Sequence, residues 1–359
     1  MARAAFLMDR WMSRIGLSGK SFLPLISSLA CAVPGIMATR VIENERDRLA
    51  TILAAPLMTC SARLPVYALL IAAFVPQKSL VFGLMSLQGL TLAGLYVLGI
   101  LSAVGAAVLL KKTLLCGQSS LFVMELPGYK WPSLHTVFYR VVERAWVFLR
   151  CAGTVILAVS VVIWAALYWP RDPNLQDRLL AEQTRLRQQL ERASPDAPAI
   201  SPEQQNHLER EIAAAYQRQS YLGRLGKWME PVFRPLGWDW RIGSAVIASF
   251  PARETVVATL GVIHNVGRQD QTTDEGLTQL QAALYHATWD GTDRPVFTLP
   301  VALSLLVFYA LCAQCAATLA VIRRETNSWR WPAFTFAYMT ALAYLGALVT
   351  YQFSNWLAG

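Results

Sequence analysis

Residues 27–40 read SSLACAVPGIMATR, with Cys31, the pair Pro34-Gly35, Met37 and Arg40 inside or at the edge of one apolar stretch. Proline removes a helical hydrogen bond and glycine weakens a helix interior, so an ordinary membrane helix avoids the pair. Irregular backbone at membrane depth is tolerated only where protein buries it or where it lines a wet cavity. The segment 22–39 is therefore expected to enter the bilayer, break at Pro34-Gly35 and return without crossing.

The surrounding chain supports a membrane reading. It has 359 residues, 55% hydrophobic and 15% charged, with mean hydropathy +0.37. A soluble chain carries about 25% charge. Apolar runs at 51–75, 81–110, 147–169, 242–263, 299–322 and 333–351 approach or exceed the roughly 20 residues that a helix needs to cross a bilayer. The fold class expected is all-α: a polytopic helical membrane protein with broken or re-entrant segments and a pseudo-repeat.

The net charge of +9 sits mostly in short loops beside the spans, so it points to membrane orientation and not to nucleic acid. Basic residues concentrated in 111–150 place that region inside, which puts loop 76–80 outside and the charged loop 40–48 inside. Residues 1–20 alternate apolar and basic positions like an interfacial amphipathic helix and lack the apolar core of a signal peptide. Five of six cysteines lie in or beside apolar segments, against a secreted disulfide framework.

Four regions follow: 1–110, 111–169, 170–240 and 241–359. The third is polar. Asp172-Pro173 and Ser201-Pro202 resemble helix starts, Gln204 completes a capping box with Ser201, and Leu175, Leu179, Leu186 and Leu190 form a seam. An extramembrane helical hairpin is expected there. The polar loop 265–295 holds no interpretable motif.

Three intramembrane constellations carry chemistry. They are Cys31 with Pro34-Gly35; residues 56–67, PLMTCSARLPVY, with Cys60, Arg63 and Pro65; and residues 311–325, LCAQCAATLAVIRRE, with Cys312 and Cys315. Cys31 precedes Arg40 by nine positions and Cys315 precedes Arg324 by nine, which hints at the internal repeats of transporters. Thiolates and thioethers suit soft or borderline metals, which makes Cys31, Cys60, Cys315 and Met37 candidate ligands on a path. On a helix Arg63 would share a face with Cys60. A charge in hydrocarbon needs a partner, and Glu254, beside Arg253, is a candidate ligand or the counter-charge of Arg63. A Cys312–Cys315 dithiol is a redox alternative, although no thioredoxin-like pattern surrounds it. The sequence has no G-x-x-x-x-G-K-[ST], G-x-S-x-G or H-E-x-x-H motif, so enzymatic chemistry is not expected of this chain.

At these residues the chain resembles the membrane region of the ferrous iron transport protein B (FeoB) family. The likeness runs through ARAAFLMDR, GLSGKSFLPL, CAVPGIMATR, RDRLATILAAPLMTCSARLPVYAL and FVMELPGYKWP, then through EPVFRPLGWDWRIGSAVIASFPARETVVATLG and CAATLAVIRRETNSW. It implies two Gate regions flanking a family-specific C-terminal segment, and Fe2+ uptake across the bacterial inner membrane by a multi-pass protein. It also implies an iron path at Cys31, Cys60 and Cys315. Regulation would come from a GTP-binding domain, with Mg2+, which this chain lacks and which would act in cis or in trans. A small FeoA-type protein, the lipid bilayer and a second copy of the chain are the further partners implied. The family places proline where Gln314 stands, and Cys312 is an addition to its pattern. A nucleoside-type carrier with Gate architecture is the alternative transporter reading.

Overall fold

Helices dominate because apolar runs leave the backbone no other way to satisfy its polar groups in lipid. A computed structural model of the chain describes residues 2–76, 78–80, 85–116, 133–170, 219–250, 294–313 and 315–358, with isolated positions between them. The chain divides into two compact units: residues 1–159 with 250–254 and 297–359, and residues 160–249 with 255–296.

In the first unit the amphipathic α1 (Ala2–Ile15) leads into two short helices, α2 (Phe22–Ala30) and α3 (Ala32–Ala38). At about 1.5 Å per residue neither can cross a bilayer core of about 30 Å. The chain turns at Cys31, which is extended at φ −155°, ψ 134°. In a straight helix Gly35 would stand about 16 Å from Pro24. Instead, a Cβ on Gly35 would lie 2.9 Å from the Pro24 carbonyl oxygen and 2.0 Å from Ser28 Oγ. The segment is thus a tight helical hairpin, and only glycine permits its closest approach. The expected break at Pro34-Gly35 is corrected to Cys31. Pro34 stands in the first turn of α3, where its missing N–H costs little.

Next come α4 (Glu45–Ala54) and α5 (Leu64–Phe74), joined by irregular backbone and 3-10 turns. Asn44 caps α4 by accepting from the backbone N–H groups of Arg46 and Asp47. Pro65 falls in the first turn of α5, which also tolerates it. A two-residue hairpin, β1 (Ser79–Leu80) with β2 (Met85–Ser86), precedes α6 (Leu87–Lys112). Helix α6 runs back along the broken pair. Its Ala107 and Leu110 pack with Ala50 and Leu53, Gly99 lies against Thr59, and Gln88 Nε2 donates to the Val75 carbonyl at 3.0 Å. A Cβ on Gly99 would stand 2.4 Å from Thr59 Oγ1, so glycine sets this crossing.

The second half of this unit repeats the plan. Helix α10 (Leu299–Leu311) stops at Cys312 and α11 (Ala316–Thr326) resumes after Cys315. Unbroken α12 (Arg330–Ala358) runs back along both: Trp331 packs with Ile322, Met339 with Ala313, and Gly346 lies against Leu311. The two broken spans run in opposite directions. Arg48, at the start of α4, pairs with Glu325, at the end of α11, at 2.9 Å. Phe74, at the end of α5, stacks on Phe297, just before α10, at 5.7 Å. Their breaks share a core cluster of Leu57, Met58, Ala103, Ala313 and Met339. The pseudo-repeat is therefore an inverted pair of discontinuous spans, each backed by a continuous helix. The Cys31–Arg40 and Cys315–Arg324 match is local: both cysteines are extended and begin a helix, but Cys31 turns a hairpin whereas Cys315 interrupts a span.

Helix α7 (Leu134–Tyr168) has 35 residues and starts well before the expected 147. In the second unit α8 (Tyr221–Phe233) and α9 (Trp240–Ala248) are capped by Ser220 and Asp239, whose side chains accept from Gly223 N at 3.0 Å and Ile242 N at 2.9 Å. Phe233 stacks on the fully buried Trp238 between them. Of the helical hairpin expected at 170–240, the described residues include α8 and the turn after it, while most of 171–218 and most of the loop 265–295 lie outside them.

Five stretches among the described residues are long and apolar enough to cross a membrane: Glu45–Phe74, Leu87–Lys112, Leu134–Tyr168, Leu299–Thr326 and Arg330–Leu357. The chain is thus an all-α polytopic membrane protein. Of the run 242–263, α9 covers the part up to Ala248 and a turn follows at Ser249, while most of 251–263 lies outside the described residues.

Candidate functional site

Each break in the first unit brings a cysteine to one place. Cys31 begins α3, Cys60 (φ −90°, ψ 161°) begins the 3-10 turn Ser61–Arg63, and Cys315 (φ −155°, ψ 103°) begins α11. All three are extended and half-buried, and none forms a disulfide. They line a single cavity of about 270 Å³, together with Met58, Thr318 and Arg253. That is room for several water molecules at about 30 Å³ each. Among the described residues no group of three His, Cys, Asp or Glu side chains is drawn together tightly enough to hold an ion. The thiols are spread around a chamber.

Broken helices strand backbone carbonyls, and two arginines meet that need. Arg63 is 1% exposed and donates to the carbonyls of Pro56 at 3.1 Å and Leu57 at 3.4 Å, and to Thr59 Oγ1 at 3.4 Å. Arg253, also buried, donates to the carbonyls of Tyr309 at 3.1 Å and Cys312 at 2.6 Å. Each guanidinium thus caps the carbonyl end of a broken span, satisfying groups that lipid could not. The α-helical face expected to be shared by Cys60 and Arg63 is corrected: Cys60 precedes a 3-10 turn that ends at Arg63, and only Cys60 reaches the cavity wall. Glu254 lies outside the described residues, as does Gln314.

Met37 does not line the cavity; it packs on the Val33–Ile36 cluster further along α3. Met58 takes its place as the thioether in the wall, a position legible as the residue two before Cys60 in the same break. The Cys312–Cys315 pair loses its helical geometry, because α10 ends before Cys312 and α11 begins after Cys315. Cys312 is buried at 1% exposure, Cys315 faces the cavity, and no disulfide joins them.

Sequence reasoning missed the charged lock that ties the halves together. Glu325, whose side chain is 2% exposed, accepts from Arg40 Nε at 2.9 Å and Nη2 at 2.6 Å, and from Arg48 Nη2 at 2.9 Å. The hydrogen bond and charge of Glu325 raise the Arg40 pKa above its ordinary value. The signal was an arginine after each cysteine-led helix, with an acid beside only the second.

Comparison with known proteins agrees with this architecture. A family model described as ferrous iron transport protein B C terminus matches residues 92–144, and one described as nucleoside recognition, the Gate model, matches 1–74 and 149–329. The chain is 43% identical over 353 residues to the Fe(2+) transporter FeoB of Leptospira interrogans, covering 98% of this chain and 45% of that protein. It is 40% identical over 356 residues to an Fe(2+) transport protein A/Fe(2+) transporter FeoB fusion protein of Porphyromonas gingivalis (98% and 40% covered). It is 31% identical over 351 residues to the Fe(2+) transporter FeoB of Helicobacter pylori (98% and 51%). The chain thus spans about half the length of the curated relatives it matches. No solved structure matches it.

Proposed function

Since the chain belongs to the ferrous iron transport protein B family, we propose that it forms the membrane-permeation part of a ferrous iron uptake transporter. The observation that carries this reading is the convergence of Cys31, Cys60 and Cys315, from three separate breaks, on one cavity. Sulfur donors suit a borderline ion such as Fe(II), and an ion in transit needs sites weak or numerous enough to leave. A dispersed set of thiols meets that condition better than a closed cage. The Met58 thioether adds a fourth sulfur to a mostly apolar wall in which Ser61, Thr318 and Arg253 are among the polar members.

In the full transporter, a GTP-binding domain in cis or in trans regulates opening, with Mg2+ belonging to that domain. The fusion relative favours a FeoA-type partner. The inner membrane of a bacterium is the site of action. The test is Fe(II) uptake into proteoliposomes by the complete transporter that contains this region. Replacing Cys31, Cys60 and Cys315 together by Ser is expected to lower uptake at least about tenfold, a loss of about 1.4 kcal/mol in stabilisation of the passing ion. Undiminished uptake at matched protein density refutes the cysteine path. The Gate model's description favours one second reading, a nucleoside carrier; metal-independent uridine uptake by the same vesicles would establish it.

A further inference from the structure

The C-terminal ends of α1 and α6 enclose a second cavity, of about 260 Å³, that shares no lining residue with the cysteine chamber. Its wall holds Arg14, Lys111 and Lys112, with Ser13, Gly16 and Val108 between them. Among the described residues no carboxylate lines it. Lys111 is bound from behind by the fully buried Asp47 through Oδ1. The remaining acids nearby are engaged elsewhere: Asp9 accepts from Gly19 N at 2.7 Å, and Glu43 from Lys20 Nζ at 2.7 Å. Arg14 lies over the Trp11 ring at 5.6 Å, which leaves its N–H groups for another acceptor. The Lys112 ammonium has no ion pair or hydrogen bond among the described residues. The cavity therefore holds a net positive charge.

Its depth in the bilayer follows from length. Helix α6 is 26 residues long. At 1.5 Å per residue that is about 39 Å, more than the hydrocarbon core of about 30 Å, so its last two lysines stand in the headgroup layer. Exposed apolar side chains stand on the same two helix ends: Leu109, three residues before Lys112, is 63% exposed, and Trp11, three before Arg14, is 62% exposed. An indole and cations at one level are the signature of the membrane interface.

We infer that this cavity binds the headgroup phosphate of an anionic phospholipid, held between Arg14 and Lys112, with an acyl chain running along Leu109. A free phosphate would satisfy the cations equally. The exposed leucine and tryptophan beside them favour the lipid. The site would fix α1 against the end of α6 irrespective of the ion transported.

The test is lipid retention by the purified full chain from nanodiscs of equal phosphatidylglycerol and phosphatidylcholine, read by native mass spectrometry. A cation near an anionic surface contributes about fivefold in binding. The expected result is a ratio of phosphatidylglycerol to phosphatidylcholine among the retained lipids of about 25, against one in the bulk, from two cations at about fivefold each. Arg14→Gln with Lys112→Gln should cut the excess by an order of magnitude, and Lys78→Gln, before the other end of α6, should leave it intact. Lys112→Gln alone, with helicity checked by circular dichroism, keeps the test valid if the double variant misfolds; about a fivefold loss is expected. No preference in the wild type, or a preference unaltered by either variant, overturns the inference. Competition by millimolar inorganic phosphate that fully displaces the lipid would assign the site to a soluble anion and overturn it as well.

Discussion

Removing the charge of Glu325 isolates the lock between the two halves. Glu325→Gln keeps the shape and one acceptor oxygen but gives up the carboxylate that three guanidinium N–H groups address. Hydrogen bonds to a charged group contribute about 1.5–3 kcal/mol each when shielded and far less when wet. The Arg40 side chain is 50% exposed, so screening leaves its pair about 0.5 kcal/mol. Arg48 is 30% exposed and sits deeper, so about 1.5 kcal/mol is reasonable for its pair. The sum is about 2 kcal/mol, or a fall in melting temperature of about 3 °C for a chain of this size. Tryptophan fluorescence during thermal unfolding in detergent measures it directly, since the chain has twelve tryptophans. Arg48→Gln should cost more than Arg40→Gln. A fall below about 1 °C for Glu325→Gln would refute the energetic argument, and the reverse order of the arginine variants would refute the partition by exposure.

Two further outcomes follow from packing. Gly35→Ala forces a methyl to 2.0 Å from Ser28 Oγ and should destabilise by about 1–3 kcal/mol, with partial recovery in Gly35→Ala/Ser28→Gly; an unchanged melting temperature would count against the hairpin. Arg63→Lys retains charge but loses the planar fork that reaches two carbonyls, so a loss of about 1–3 kcal/mol is expected in the same melt; full tolerance would show that those carbonyls are not held by Arg63.

The all-α class and the broken segments were legible because hydropathy and misplaced Pro, Gly and Cys residues act locally. The exact break was not. Pro34-Gly35 looks like a helix breaker in sequence, yet proline is harmless in a first turn and glycine serves a contact with α2. That contact is tertiary, so it leaves no local trace. Cys31, Cys60 and Cys315 were found because each lies in a visible discontinuity. Arg63 was noticed for its charge, with a cavity or a carboxylate expected to receive it; the stranded carbonyls it also serves appear only once the break is located. Glu325 escaped because its partners lie 277 and 285 positions away.

The two unbroken helices beside the broken spans have a mechanical consequence. A rod cut at mid-length still holds its line if it is splinted to an intact one, and α6 and α12 splint α4–α5 and α10–α11 in this way. The outer ends are pinned together, by Arg48 and Glu325 at one and by Phe74 and Phe297 at the other. Compliance is then concentrated at the joints near Cys60 and Cys315, where no regular ladder resists bending. Strain applied at either pinned end is delivered to the chamber wall, and the span itself need not lengthen.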